Sequence, residues 1–240
     1  MPGTGSTTSI AITISTPCGS VYGKWRPSSV TRAAAILIPD APGAPAGPFR
    51  LFDELAVRVQ RAGISVLQLE QCSEAFDERL MCLLSALTAL RRQGVQRMAL
   101  VGWHSGGSLA IAAGSDSEAV TGVAALAPDA TAADLVSEVA PRRLLLMHGA
   151  ADVVTPAAIS RLLFMRAAEP RELVVLPGER HDFSVFHDEA LDKLTTWIRA
   201  LLRSPFKPHA GPHAGRRQSM DLPEIAPILS DGSVSPTPSL

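Results

Sequence analysis

The sequence predicts an α/β sandwich, with a predominantly parallel sheet of about eight strands and helices on both faces. Two observations carry that prediction. Short apolar runs alternate along the chain with segments whose apolar residues recur at helical spacing. Only the first two strand candidates lie close enough to form a hairpin, so the later ones are joined by helical crossovers and run parallel.

Residues 10–15 and 21–25 read as strands around a turn at Gly19. Residues 34–39, Ala-Ala-Ile-Leu-Ile-Pro, are a continuous apolar run, as a strand covered on both faces requires. Over 49–62, Phe52, Leu55, Ala56 and Val59 share one helical face, and Gly63 stops the helix. A strand follows at 64–69, and Leu80, Leu83, Leu84, Leu87 and Leu90 restore helical spacing as far as Gly94. Residues 98–101 form a strand and 105–113 a helix of small residues. Strands follow at 120–125, 143–147 and 173–176, and helices at 132–139, 156–168 and 189–202.

At 240 residues and 46% apolar, the chain suits one large domain. Lys plus Arg is 22 against 23 Asp plus Glu, so no basic excess exists to hold a phosphate backbone, and nucleic-acid binding is not expected. No apolar run approaches the roughly 20 residues of a membrane-spanning helix. The first basic residue is Lys24, unlike a signal or transit peptide. The three cysteines include no C-x-x-C pair, which argues against a disulfide framework or a cysteine zinc site and for a reducing, cytoplasmic location.

Composition changes after Ser204: seven of the 19 prolines fall in 205–240. The expected organisation is a flexible start (1–7), a folded domain (8–204) and a disordered Pro/Ser-rich tail (205–240). Arg216-Arg217-Gln218-Ser219 has the pattern of a basophilic kinase site, which makes a kinase or protein partner at Ser219 an expectation for the tail. Leu222, Ile225, Ile228 and Leu229 form an apolar patch there.

In open parallel sheets the ligand site lies beyond the carboxyl ends of the strands. Three such ends carry chemistry: Gly-Trp-His-Ser-Gly-Gly-Ser at 102–108, His-Gly-Ala-Ala-Asp-Val-Val-Thr-Pro at 148–156, and Pro-Gly-Glu-Arg-His-Asp-Phe at 177–183. In chain order they supply a serine, an acid and a histidine. A serine hydroxyl needs a base to become a nucleophile, and the base needs a carboxylate to orient it. Ser105, His181 and Asp152 are the candidates, with Asp129 as reserve acid. Each also has a plain structural role to set against this: Ser105 as a helix cap, Asp152 as a loop acid, His181 as a surface histidine. His104 reads as a pocket-wall residue and His148 as a structural histidine at a strand end. No two histidines sit at i,i+4 with an acid, and no phosphate-loop or G-x-G-x-x-G pattern is present, so neither metal nor cofactor is expected.

These three segments, in this order and each at a strand end, resemble the α/β-hydrolase fold family over residues 8–204. The resemblance implies a Ser105–His181–Asp152 triad, with oxyanion N–H donors at Gly106 and Ala41. The short link between the strands near 125 and 143 implies a site without a lid domain. The implied activity is that of a small serine esterase or thioesterase acting on a small-molecule acyl substrate. Two positions depart from the family pattern. Trp103 stands two places before Ser105, where a small residue belongs, with Gly102 one position too early. The loop after 34–39 reads Pro39-Asp40-Ala41-Pro42-Gly43, where relatives often have His-Gly. These departures motivate the alternative expectation of a weakly active or inactive binding or scaffold protein on the same fold.

Overall fold

In the computed structural model, which describes residues 9–16, 19–28, 30–70 and 73–203, strands β1 (Ile10–Thr16) and β2 (Gly19–Arg26) form the expected antiparallel hairpin. The chain then alternates as β3 (Ala33–Ile38), α1 (Leu51–Arg61), β4 (Ser65–Glu70), α2 (Phe76–Arg92), β5 (Arg97–Trp103) and α3 (Ser105–Asp116). It continues with β6 (Val120–Leu126), β7 (Arg143–Gly149), α4 (Ala158–Arg166), β8 (Arg171–Leu176) and α5 (His187–Arg203). The sheet order is β1-β2-β4-β3-β5-β6-β7-β8. β2 joins β4 antiparallel, and every later pair is parallel.

Alternation along β3 shows why its sequence is apolar without a break. Ala34, Ile36 and Ile38 pack in a core with Leu83 and Leu87 of α2 and Leu109 of α3. Ala33, Ala35 and Leu37 pack on the other face with Phe52 and Leu55 of α1 and Leu191 and Ile198 of α5. Each large side chain so buried stabilises the fold by about 1.5–3 kcal/mol. Both faces of the strand are therefore committed to helices, and chemistry is left to the strand ends.

Two expectations are corrected. Residues 132–139 do not form an α-helix; only Val136–Val139 is helical, as a 3-10 turn. Leu135 N–H bonds the Ala132 carbonyl at 3.1 Å and Glu138 N–H bonds that of Leu135 at 3.0 Å, the i+3 spacing of a tight turn. Cys82, on the buried face of α2, is disulfide-bonded. The cysteine-based argument for a reducing compartment therefore loses its premise. Among the described residues no helix is long and apolar enough to cross a membrane. Segment 1–7 and tail 205–240, with Ser219, lie outside the described residues.

Candidate active site

The parallel pairing of β7 with β8 sets Gly149 beside Leu176, so the loops that leave these strands rise together. A Cβ on Gly149 would sit 2.4 Å from the Glu179 carbonyl oxygen, so only glycine lets the second loop cross so closely. The buried Glu179 carboxylate accepts the N–H groups of Arg180, Val185 and Phe186 at 2.8, 3.0 and 2.6 Å. Phe183 is fully buried and anchors the same loop in the core. Held this way, His181 donates from Nδ1 to Asp152 Oδ2 at 2.7 Å.

Asp152 is itself fully partnered. Oδ1 accepts the N–H groups of Val154 and Thr155 at 2.8 and 2.9 Å, and Oδ2 is shared by His181 and His148. His148 is completely buried, and its Nε2 lies 2.7 Å from the Thr155 carbonyl and 3.1 Å from Asp152 Oδ2. Two acceptors around one nitrogen require a proton on Nε2, which leaves Nδ1 to accept from Ser160 Oγ at 2.7 Å. Burial pushes the pKa of His148 down and keeps it neutral. Burial alone would raise Asp152, but the His181 and backbone hydrogen bonds outweigh it and hold the carboxyl below the usual range. An anionic carboxylate thus fixes the orientation of the His181 ring. The structure brings Asp152 and His181 together.

The turn after β5 differs from expectation. His104 has φ 51° and ψ −118°, a strained conformation for a residue with a Cβ. It is flanked at two places on each side by glycines that tolerate no side chain. A Cβ on Gly102 would lie 2.0 Å from the Gly106 carbonyl oxygen, and one on Gly106 would lie 2.3 Å from that of Ile38. The apex of the sharp turn is therefore His104, and Ser105 begins the helix beyond it. Trp103 causes no obstruction; its indole N–H donates to the His181 carbonyl at 3.1 Å, and its ring packs 5.2 Å from the imidazole. His104 meets His181 edge to face, with ring centroids 4.9 Å apart, and its Nδ1 lies 3.1 Å from Thr155 Oγ1.

Ser105 Oγ turns toward the β3–α1 loop. It donates to Asp40, whose carbonyl and Oδ1 lie at 2.8 and 2.6 Å, and accepts from Arg79 Nη1 at 2.9 Å. No hydrogen bond joins it to His181 among the described residues. The Ser105 N–H also points to Asp40 Oδ1, at 3.3 Å. Arg79, reaching in from α2, further donates to the Pro39 and Asp40 carbonyls, and it is 5% exposed. The reserve acid Asp129 accepts Ser108 Oγ and the Thr131 N–H, tying the β6 loop to α3; among the described residues no hydrogen bond joins it to a histidine. Ala41 lies in the β3–α1 loop and accepts the Ala44 N–H at 3.4 Å through its carbonyl.

The sequence matches no family model and no curated protein. Solved structures do match. Dienelactone hydrolase from Anabaena variabilis superposes with a TM-score of 0.73 at 16% identity, covering 82% of this chain and 99% of that one. Est1E from Butyrivibrio proteoclasticus gives 0.73 at 13% identity, over 81% and 99%. XC6422 from Xanthomonas campestris, described as an α/β serine hydrolase without lid, gives 0.70 at 20% identity, over 83% and 97%. The chain has the α/β-hydrolase fold.

In the α/β-hydrolase fold, G-x-S-x-G places the nucleophile at the apex, and the N–H of the next residue faces the oxyanion. With both glycines assigned by their contacts, this chain reads Gly102-Trp103-His104-Ser105-Gly106, with histidine where that motif has serine. In consequence the N–H after the apex belongs to Ser105 and not to Gly106, and the Asp40 carboxylate occupies it. The structure places Ser105 one residue beyond the apex and Gly106 one residue further along α3. His104, Asp40, Arg79 and Glu179 are the residues sequence reasoning passed over or assigned other roles. The spacing of Gly102 and Gly106 about His104 was the signal that could have found the apex.

Proposed function

We propose that the protein hydrolyses an ester, thioester or related acyl bond, with His181 as the base and Asp152 as the acid that orients it. The observation that supports this most is the 2.7 Å bond from His181 Nδ1 to a carboxylate satisfied on all sides. That arrangement fixes the imidazole tautomer and stabilises the cation formed when Nε2 takes a proton. Nothing else in the loops calls for a buried anion beside a histidine whose side chain is 14% exposed. The apolar residues next to the pair, Val153 and Val154 on one loop and Val185 and Phe186 on the other, are exposed and suit an apolar acyl group.

Serine attack is not part of this mechanism. Ser105 Oγ is taken up by Asp40 and Arg79, which favours a role in holding the β3–α1 loop. One observation favours the alternative of a binding protein: Asp40 Oδ1 sits on the N–H that an oxyanion would need. Turnover of p-nitrophenyl butyrate and of a butyryl thioester by native protein and by His181→Ala separates the two. Hydrolysis predicts a native rate about 100-fold or more above that of the variant. Equal rates would leave the binding protein as the better account.

A further inference from the structure

Resting on that hydrolytic reading, we infer that His104 is the nucleophile, so that the site works through an acyl-imidazole on His104 with His181–Asp152 as its deacylating base. Three features of the structure carry the inference. His104 occupies the apex of the turn, the place from which a side chain projects over the strand ends, and its backbone is held at φ 51° between two glycines that no other residue can replace. A strained conformation of this kind costs of order 1–3 kcal/mol and persists only where the surroundings impose it. Its ring lies against His181, centroids 4.9 Å apart, so the group that attacks and the group that activates water share one space. Finally, Thr155 Oγ1 stands 3.1 Å from Nδ1. With Nδ1–H donating to that oxygen, the lone pair is on Nε2. Thr155 is in turn fixed by its own N–H to Asp152 and its carbonyl to His148, so one short loop orients both imidazoles.

Imidazole is a competent nucleophile when neutral, whereas a serine hydroxyl requires its proton to be taken first. In the first step Nε2 of His104 bonds to the acyl carbon and the carbon–oxygen or carbon–sulfur bond breaks. The leaving alkoxide takes its proton from solvent; a thiolate leaves as such. In the second step His181 Nε2 takes a proton from water as the water oxygen bonds to the acyl carbon. The carbon–nitrogen bond breaks, its electron pair returns to His104, and His181 passes its proton to solvent. No oxidant, metal or cofactor enters the balance. In the first step the carbonyl oxygen needs the Ser105 N–H, so the Asp40 carboxylate has to swing away from it as substrate enters.

The test uses p-nitrophenyl dimethylcarbamate, because a dimethylcarbamoyl group on imidazole turns over slowly enough to be located by peptide mass spectrometry. The full chain should release one equivalent of p-nitrophenol in a burst and carry the label on His104. Ser105→Ala should be labelled at His104 as well, and His104→Gln should lose the burst. With p-nitrophenyl butyrate, His104→Gln should lower kcat/KM by about 100-fold. Label on Ser105 in the native protein overturns the inference. So does a His104→Gln variant that keeps native turnover while His181→Ala loses it; that outcome leaves the hydrolytic reading standing, with His181 acting on water directly. Absence of turnover and of label in native protein sinks both.

Discussion

The two sides of the site are built to different standards. On the β7–β8 side the buried groups are tied to one another: Asp152 accepts four donors, His148 is locked in one tautomer, and Glu179 ties down the loop that carries His181. On the β3–β5 side the partners belong to one another instead of to a substrate. Asp40 covers the Ser105 N–H, Ser105 Oγ closes on Asp40, and Arg79 clasps both. The first side is the one to which the proposed function assigns proton transfer. The second has a histidine at the apex of its turn, and the N–H after that apex already faces a carboxylate. The Asp152–His181 pair and the turn at His104 thus hold their side chains by separate sets of hydrogen bonds.

The largest effect should come from breaking the complete side. Asp152→Asn keeps the shape but places a donor among four donors, so His181 loses its tautomer and His148 its acceptor. Turnover of p-nitrophenyl butyrate should fall by about 10³-fold or more, with the far-ultraviolet circular dichroism of the native protein retained. A fall below tenfold would mean that His181 does not act as the base.

The other side can be tested by gain instead of loss. His104→Ser places a hydroxyl at the apex, facing the His181–Asp152 pair, and should confer labelling by a fluorophosphonate probe at residue 104. Adding Asp40→Ala frees the Ser105 N–H and should raise the labelling rate further, by about 10-fold or more, since a single oxyanion donor is worth about 10²–10³ in rate. A His104→Ser protein that reacts at Ser105 would move the apex back by one residue and undo the contrast between the two sides.

Legibility followed the same division. The strands, their parallel order and the long helices were readable because burial on both faces leaves unbroken apolar runs such as 34–38, and α5 shows an apolar stripe. Asp152 and His181 stood out as candidates because each sits a few residues beyond a strand end. The apex did not. Gly102, Gly106 and Gly107 offer two registers, and only the near contact of Gly102 with the Gly106 carbonyl distinguishes them. In a sequence the serine at 105 is more conspicuous than the histidine before it. Glu179 and Arg79 could not have been found, since their roles arise from backbone groups brought together by the fold.

A smaller effect is expected in stability against pH. His148 is neutral in the fold because burial lowers its pKa, whereas in the unfolded chain it takes a proton near its ordinary value of about 6.5. Below that value the unfolded state binds more protons than the folded one, so stability is full above about pH 6.5 and is lost as pH falls. The melting temperature should be level from pH 8 to 7 and decline toward pH 5, with a slope of at most about 1.4 kcal/mol per pH unit from this one group. In His148→Gln the starting stability should be lower by about 1–3 kcal/mol and the decline shallower. An unchanged slope would assign the acid sensitivity to another group.

The smallest effect should follow Ser105→Ala, and it bears most directly on which side of the site does chemistry. The substitution keeps the Ser105 backbone N–H and the start of α3, and it removes the hydroxyl that bridges Asp40 and Arg79. Arg79 retains the Pro39 and Asp40 carbonyls, so the guanidinium is not left bare. The cost should be about 1 kcal/mol, that of one buried hydrogen-bonded hydroxyl, read as a modest drop in the urea midpoint. The rate on p-nitrophenyl butyrate should change far less than in Asp152→Asn, and its direction is informative. With one fewer partner Asp40 is freer to leave the Ser105 N–H, so a slight rise would fit a carboxylate that blocks the oxyanion site. A loss as deep as that of Asp152→Asn would instead make the hydroxyl part of the reaction, and the two sides would have to be read as a single serine-dependent site.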